Sequence, residues 1–283
     1  MRVAILGVGL IGGSIGLAAR ERAGAHVWGY DPDERVRAEA LRLGAIDEQA
    51  PDLATAVAGS QVVFAAAPVG ALAQTVREAL ALAGDACVVS DVGSTKLALE
   101  DAREDPRFVG GHPLAGAETA GVAHAREDLF EDATWYLTPT RSTDRALYGR
   151  LRGLIERLGA RPAEIEADAH DRLMASVSHL PHVLANVLVA QAAGAFDREG
   201  CQPAVGPSLH DTTRVAGANT AIWTDIYLAN RDALIEAIAE AERRLGDVRT
   251  ALTRADAAAL AAWNEHARAA RAQLLGLDSP AEK

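Results

Sequence analysis

Short apolar runs alternate with amphipathic stretches through the first part of the chain. Six runs have the length and the apolar content of buried strands: residues 2–6, 26–30, 61–67, 87–92, 108–111 and 135–139. Between them lie segments whose apolar residues have helical spacing, the clearest being residues 33–44 and 71–84. Strands and helices that alternate in this way predict βαβ units and a mostly parallel sheet.

The pattern changes after residue 166. From residue 167 onward no strand-like run occurs, and long Ala- and Leu-rich segments show helical periodicity, as in residues 184–196 and 231–252. We therefore predict an α/β domain over residues 1–166 and an all-helical domain over residues 167–283. A chain of 283 residues is long enough for two cores.

Composition narrows the classes of partner. The chain has 28 Lys and Arg against 39 Asp and Glu, and its basic residues form no long block, so we expect neither nucleic acid nor a membrane surface as partner. Cys87 and Cys201 are too few for a disulfide framework and lack metal-ligand spacing, which fits a cytoplasmic protein. No run of about eighteen apolar residues appears, so we predict no membrane span.

A glycine motif follows the first predicted strand. Gly7, Gly9 and Gly12 form a G-x-G-x-x-G pattern between that strand and a helical segment. Such a pattern alone also fits a tight strand-to-helix turn. Asp31, however, ends the next strand, where a carboxylate would accept hydrogen bonds from the adenosine ribose of a dinucleotide. Asp31 would also repel a 2′-phosphate, and the nearest candidate to receive one, Arg35, lies four residues further on. NAD is therefore favoured over NADP.

The first domain is thus predicted to be a Rossmann-type dinucleotide-binding domain with a mostly parallel sheet. The other cofactor-binding candidates are Leu10, Ile11 and Pro68.

Two polar segments follow later strands of the predicted sheet, at the edge where open α/β folds bind ligands. The first, residues 93–96, contains Ser94 and Lys96, although Ser94 or Thr95 would equally suit a helix cap. The second contains His112, which is followed by Pro113 and surrounded by glycines. An isolated histidine is more often structural, but this position favours a role in chemistry.

Two histidines flank a proline within the apolar start of the helical half. His179 and His182 are three residues apart, so a metal pair and a buried core pair both fit the spacing. No third metal ligand is spaced nearby, and we predict no metal site. Pro181 is expected to bend or interrupt the helix.

Five segments together resemble the prephenate and arogenate dehydrogenases of tyrosine biosynthesis. They are GVGLIGGSIG (7–16), DVGSTK (91–96), GGHPLAGAETAG (110–121), SVSHLPHVLANVL (176–188) and HDTTRVAGANTAIWTDIYLANRDAL (210–234). The resemblance implies NAD(P)-dependent oxidative decarboxylation of a cyclohexadienol. In that reaction hydride leaves ring C4, the C4 hydroxyl loses its proton and carbon dioxide departs. It also implies that the helical domain forms a homodimer, which suits its long apolar helix.

The resemblance carries roles to matching residues. His112 would accept the hydroxyl proton, and Ser94 would hydrogen-bond both the substrate hydroxyl and His112. His179 would hydrogen-bond substrate, and His182 would orient neighbouring groups in the pocket. Arg214 would bind a substrate carboxylate through its guanidinium fork; without the family, a solvated charge or interface salt bridge would explain it.

Three further residues are candidates for the pocket on weaker grounds. Glu118 and Asp211 fit a polar network at the cleft mouth with Arg214 or His210, and solvated surface charge fits them equally. Trp223 would wall the pocket or belong to the core.

Alternative functions remain at this point. Prephenate is the expected substrate because no further carboxylate is clearly placed to meet the amine of arogenate. A β-hydroxyacid dehydrogenase would need a catalytic lysine on the first long helix of the second domain, and residues 169–196 contain none. A catalytically silent NAD-binding protein would keep the glycines but have no use for the histidine and arginine motifs. From the short length left after the helices we also expect no added regulatory domain.

Overall fold

The structure is a computed structural model that describes residues 1–116 and 119–277. Within these ranges the first part of the chain forms an eight-stranded sheet in the order β3-β2-β1-β4-β5-β6-β7-β8. The strands are β1 (Arg2–Leu6), β2 (His26–Tyr30), β3 (Glu48–Gln49), β4 (Val62–Ala65), β5 (Val88–Asp91), β6 (Phe108–Pro113), β7 (Thr134–Thr138) and β8 (Arg161–Glu164). Neighbouring strands are parallel except for the antiparallel pair β6 and β7.

Five helices accompany the sheet: α1 (Leu10–Ala23), α2 (Glu34–Arg42), α3 (Leu53–Val57), α4 (Val69–Leu82) and α5 (Arg145–Arg157). They cover both faces, because alternate residues of β1 enter two different cores. Val3 and Ile5 pack in a cluster with residues of α1 and α5, whereas Ala4 and Leu6 pack with residues of α3 and α4. A strand that is buried on both faces has a continuous run of apolar residues, so β1 could be predicted from the sequence.

The strand order reverses direction beside β1. From β1 the chain proceeds to β2 and β3 on one side, then returns to β4, β5 and β6 on the other. In open sheets of this type, ligands bind outside the carboxyl ends of the strands at that switch point. The α/β class, the mostly parallel sheet and the all-helical second part predicted from the sequence are confirmed.

The second part contains only helices among its described residues. They are α6 (Ala167–Met174), α7 (Leu180–Glu199), α8 (Pro207–Thr213), α9 (Thr220–Ala229), α10 (Arg231–Thr253) and α11 (Ala257–Leu274). A π-helical turn, Ala175–His179, joins α6 to α7 without a break, and a 3₁₀ turn, Arg214–Gly217, follows α8. Pro181 was expected to bend or interrupt the helix, but it does not interrupt it. The proline lacks an N–H, and the wider π-helical turn lies just before Pro181.

The compact units of the chain are Met1–Leu234 and Ile235–Lys283. This division falls later than the predicted one at residue 166, because helices α6 to α9 cluster with the sheet in the first unit. The 1–166 and 167–283 division remains a prediction.

The expectation that length excludes a membrane span does not hold, and the absence of a span remains a prediction. The continuous helical segment Ala167–Glu199 has an 18-residue window of mean hydropathy 1.5, long and apolar enough to cross a membrane by length and composition alone. Only 28% of that window is buried. The core helix of a soluble protein passes the same test, so the finding by itself is weak evidence for a membrane span.

Candidate active site

The turn between β1 and α1 has the shape that a dinucleotide phosphate requires. Gly7 has φ +101°, and a Cβ there would lie 2.6 Å from the carbonyl oxygen of Ala66. A Cβ on Gly12 would overlap the carbonyl oxygen of Gly7, so α1 can approach β1 only with glycine at this position. A Cβ on Gly9, by contrast, would meet no described atom within 4 Å. The space beside Gly9 at the start of a helix is therefore open to a phosphate.

Asp31 lies at the end of β2, next to this turn. Its carboxylate accepts the backbone N–H of Val8 at 3.3 Å and that of Asp33 at 3.1 Å, which fixes it beside the glycine turn. Leu10 and Ile11 form the first residues of α1 and pack against the core on that face of the sheet. Pro68 is exposed between β4 and α4. The residues present thus fit the adenosine and phosphate parts of NAD.

A buried ion pair supports the strand that carries His112. Lys96 and Asp91 pair at the end of β5, and each side chain is at most 1% exposed. Lys96 Nζ also donates to the carbonyl oxygen of Gly111 at 2.6 Å, and the Gly111 N–H donates to Asp91 Oδ1 at 3.0 Å. The pair therefore fixes β6 directly before His112, which lies at the carboxyl edge of the sheet.

His112 is hydrogen-bonded to a second histidine on α6. Its Nδ1 lies 2.9 Å from Nε2 of His170, and Nδ1 of His170 lies 2.7 Å from Oδ1 of Asp171. The Asp171 carboxylate also accepts the backbone N–H groups of Lys96 at 2.8 Å and Leu97 at 2.9 Å. It thereby holds a second 3₁₀ turn, Leu97–Ala102, which follows the Ser94 segment.

The pKa of His112 is lowered well below its usual value. Burial is the main cause, and the Lys96 ammonium, His170 and His179 add to it. The ring is therefore neutral at physiological pH, as a proton acceptor must be.

His179 and His182 each use Nδ1 within the protein. Asn230 Nδ2 donates to the carbonyl oxygen of Asp171 at 2.8 Å and approaches His179 Nδ1 at 3.1 Å. His182 Nδ1 is bonded to the hydroxyl of Tyr227, and Asn186 Nδ2 lies 3.2 Å away. Amide N–H groups can only donate, so this network assigns the ring proton to Nε2 in both histidines.

Both Nε2 atoms are buried; that of His179 has no hydrogen-bond partner among residues 1–116 and 119–277, whereas the His182 ring also interacts with the backbone of Val215. The His182 ring stacks on Trp223 with centroids 3.6 Å apart and planes at 7°, and His179 meets the same indole edge-on at 6.1 Å. Burial lowers the pKa of His179 to about 4 and lowers that of His182 as well. The two neutral rings thus offer N–H donors without a positive charge.

Comparisons with known proteins agree on one family. The family description "Prephenate dehydrogenase, nucleotide-binding domain" matches residues 15–164, and "Prephenate dehydrogenase, dimerization domain" matches residues 166–265. The chain is 34% identical over 267 residues to the prephenate dehydrogenase of Bacillus subtilis, covering 90% of this chain and 71% of that protein. This chain belongs to the prephenate dehydrogenase family.

Other members of the prephenate dehydrogenase family match over most of their length. The cyclohexadienyl dehydrogenase of Zymomonas mobilis is 32% identical, with 90% of this chain and 89% of that protein covered. The prephenate dehydrogenase of Aquifex aeolicus, solved with hydroxyphenyl propionate and NAD+, superposes with a TM-score of 0.87 at 28% identity, covering 97% of this chain and 98% of that one. The arogenate dehydrogenase of Synechocystis gives 0.85 at 26% identity, covering 97% and 100%.

The start of α7 and the neighbouring helix α9 bring some of the predicted residues together. His179, His182 and Trp223 form one aromatic group, and His179 is linked through Asn230 to Asp171, which belongs to the His112 chain. Trp223 thus packs on the candidate histidines; whether it walls a substrate pocket remains a prediction.

Arg214 and Asp211 lie on the exposed surface around the end of α8. Asp211 contacts the neighbouring His210, with its Oδ1 3.3 Å from His210 Nδ1. Glu118 lies outside the described residues, so the expected polar network at the cleft mouth stays a prediction.

One expectation about His112 needs correction. Ser94 was expected to orient its ring, but within the described ranges the hydrogen bond to that ring comes from His170. Ser94 is half-buried in the loop after β5, and no described hydrogen bond joins it to His112. The alternative that Ser94 or Thr95 caps a helix is also wrong, since neither side chain caps the 3₁₀ turn and the Asp171 carboxylate does so instead.

Sequence reasoning missed His170, Asp171, Asn230 and Tyr227. The adjacent His170 and Asp171 were a visible signal at the start of the helical half, because a histidine next to a carboxylate in an apolar segment needs a polar partner. Nothing in the spacing pointed to Asn230 or Tyr227. No cluster of three or more potential metal-ligating side chains occurs in the part of the chain that the structure describes.

Proposed function

We propose that this protein catalyses the NAD-dependent oxidative decarboxylation of prephenate to 4-hydroxyphenylpyruvate. The observation that carries the proposal is His112: a neutral imidazole at the carboxyl edge of the sheet, held through Nδ1 so that Nε2 remains for substrate. Gly7, Gly9, Gly12 and Asp31 would hold the NAD, which when bound supplies the acceptor for the hydride from ring C4.

The base removes and later returns one proton. His112 Nε2 takes the C4 hydroxyl proton while the O–H electron pair forms the carbonyl bond. When carbon dioxide leaves, the electrons of the broken C–C bond move through the ring to that oxygen, and His112 returns the proton to the resulting phenolate. Aromatisation makes this sequence strongly favourable, so positioning and one well-placed base suffice.

Two kinds of donor suit the substrate's polar groups by their chemistry. The buried Nε2–H groups of His179 and His182 suit carbonyl or carboxylate oxygens; that of His179 lacks a partner within the described residues, whereas the His182 ring also interacts with the backbone of Val215. Arg214 suits a carboxylate because its guanidinium donates in a planar fork. Burial keeps both histidines uncharged, so specificity in this part of the site comes from hydrogen-bond geometry.

Arogenate is the second candidate substrate, favoured by the likeness to the Synechocystis arogenate dehydrogenase. The two substrates differ only in a keto group against an amine. With its ring proton on Nε2, His179 offers a hydrogen-bond donor there, which suits the keto oxygen of prephenate and not the ammonium of arogenate. That observation favours the keto acid.

The proposed oligomeric state and cellular compartment rest on the same assignment to the prephenate dehydrogenase family. We infer a cytoplasmic homodimer that pairs through the helical segment after residue 166 and binds neither nucleic acid nor membrane. The net charge of -11 supports the last point, since an acidic chain is repelled by phosphate backbones and anionic lipid.

Initial rates of NADH formation test the function. Purified protein is assayed with prephenate and with arogenate, each with NAD and with NADP, beside a His112→Asn variant. We expect turnover of prephenate with NAD and a loss of about 10²- to 10⁴-fold in kcat for the variant. NAD binding without turnover of either substrate would instead favour a catalytically silent NAD-binding protein.

A further inference from the structure

A chain of hydrogen bonds connects His112 to a buried carboxylate that the sequence motifs did not single out. Asp171 is 1% exposed and His170 fully buried, so neither exchanges hydrogen bonds with solvent. The links are 2.9 Å from His112 Nδ1 to His170 Nε2 and 2.7 Å from His170 Nδ1 to Asp171 Oδ1. The ring of Tyr136 meets His170 edge-on with centroids 5.8 Å apart and so limits its rotation.

The direction of each hydrogen bond follows from the donors present. Asp171 receives N–H groups from Lys96 and Leu97 on its two oxygens, which is an environment for an ionised carboxylate. An ionised carboxylate only accepts, so His170 carries its proton on Nδ1 and has a lone pair on Nε2. That lone pair must accept from His112, which places the His112 proton on Nδ1 and its lone pair on Nε2.

We propose that Asp171 and His170 are positioning residues that hold His112 in the tautomer with the lone pair on Nε2 and stabilise the imidazolium formed there. The role rests on the proposed function, because it requires His112 to be the base. Without the chain, neutral His112 would be free to carry its proton on Nε2, where it cannot accept another. Burial and the nearby Lys96 ammonium disfavour a charged ring, and the Asp171 carboxylate, acting through His170, offsets part of that cost.

A merely structural role is the competing explanation. Asp171 also caps the 3₁₀ turn Leu97–Ala102, so its removal would disturb the loop that contains Ser94. Substitutions of His170 avoid this difficulty, because they leave the Asp171 carboxylate on both backbone N–H groups.

Two isosteric changes at His170 separate its two hydrogen bonds. His170→Asn places an amide near the position of Nδ1, which preserves a donor to Asp171 but removes the acceptor for His112. His170→Gln places an amide oxygen near the position of Nε2, which preserves that acceptor but breaks the link to Asp171. We expect kcat to fall about 10²- to 10³-fold in His170→Asn and distinctly less in His170→Gln, with KM and NAD affinity changed less than about 3-fold in both.

A long-range ¹H–¹⁵N spectrum of the histidine side chains gives a readout that does not depend on turnover. Without substrate, we expect wild-type His112 to show an unprotonated Nε2, His170→Gln to keep that signature and His170→Asn to shift the proton toward Nε2. The His112 signals are assigned from their loss in His112→Asn. His26→Asn, an exposed substitution at the opposite edge of the sheet, controls for nonspecific changes.

The two readouts distinguish the possible failures. A wild-type spectrum with the proton on His112 Nε2 overturns the proposal even if both variants fail to fold. Equal losses of kcat in the two variants, accompanied by equal losses of thermal stability, also overturn it in favour of a structural role. The expected tautomers in a protein that turns over neither substrate would instead reject the proposed function and leave the positioning chain in place.

Discussion

The buried charge of Lys96 has two effects on the candidate site, one on its stability and one on the pKa of His112. With Asp91 it forms an ion pair removed from solvent, and such a pair is costly to break because the remaining charge is left unpaired. Its ammonium is also the second cause, after burial, of the lowered pKa of His112. The same side chain thus fixes the strand before His112 and keeps the His112 ring neutral.

Replacing Lys96 alone and with its partner separates these consequences. Lys96→Met should cost about 3–5 kcal/mol in the free energy of unfolding, because Asp91 stays buried without its counter-ion. The double variant Asp91→Asn/Lys96→Met should recover most of that loss. Urea unfolding of the two variants measures both values, and equal stabilities would contradict the account.

The double variant also tests the electrostatic effect on His112. The base must be neutral, so kcat/KM falls as the pH drops through its pKa, which in the wild type lies well below 6.5. Without the ammonium that pKa rises, and the acid limb of the kcat/KM profile should move toward higher pH. An unchanged limb would show that the Lys96 ammonium does not contribute to the lowered pKa of His112.

At the scale of elements, the approach of α1 to β1 defines the cofactor turn. Gly12 and Gly9 lie three residues apart but face different surroundings: a Cβ on Gly12 would overlap a backbone carbonyl, whereas one on Gly9 would reach open space. The backbone of Gly9, with φ −77° and ψ −153°, is extended and has no positive φ that would require glycine. Folding therefore requires glycine at position 12, whereas binding of the ligand requires glycine at position 9.

Matched alanine substitutions test this division. Gly12→Ala should lower the free energy of unfolding by at least about 1–3 kcal/mol through overpacking. Gly9→Ala should leave it within about 1 kcal/mol of wild type but weaken NAD binding at least about 10-fold, because the methyl group occupies the phosphate space. Unfolding curves and calorimetric NAD titrations measure the two effects. Tight NAD binding by Gly9→Ala would place the cofactor elsewhere.

The spacing of apolar residues was sufficient to predict most of the sheet. It was insufficient to predict the hydrogen bonds around His112. The six strands identified from apolar runs are present, whereas β3 and β8 were missed because residues 48–49 and 161–164 are mostly polar. The bond between His112 and His170 joins residues 58 positions apart, and no periodicity encodes such a contact. The π-helical turn at Ala175–His179 likewise shifts hydrogen bonds without changing the apolar spacing. His112 was predicted as the base from motifs, and the adjacent His170 and Asp171 signalled a buried polar partner without indicating that this partner is His112.

At the scale of the whole molecule, α7 presents an apolar surface that one chain leaves uncovered. Leu184, Val187 and Leu188 lie on one face at helical spacing, and all three are exposed. A contiguous apolar face of this kind indicates an interaction surface. Its place within residues 166–265, which match the family's dimerization domain, favours a second copy of the chain as the partner.

We therefore expect the purified protein to sediment at twice the mass of one chain, and Val187→Glu to shift it toward monomer because a carboxylate would be buried without a partner. Leu82→Glu provides the control, since Leu82 is similarly exposed at the end of α4, outside the helical segment. Sedimentation velocity at several concentrations measures the shift. A monomeric wild type, or a dimer insensitive to Val187→Glu, would contradict pairing through this face. If the wild type floated with lipid vesicles, the apolar helix would instead be assigned to a membrane. Val187→Glu should then abolish that flotation.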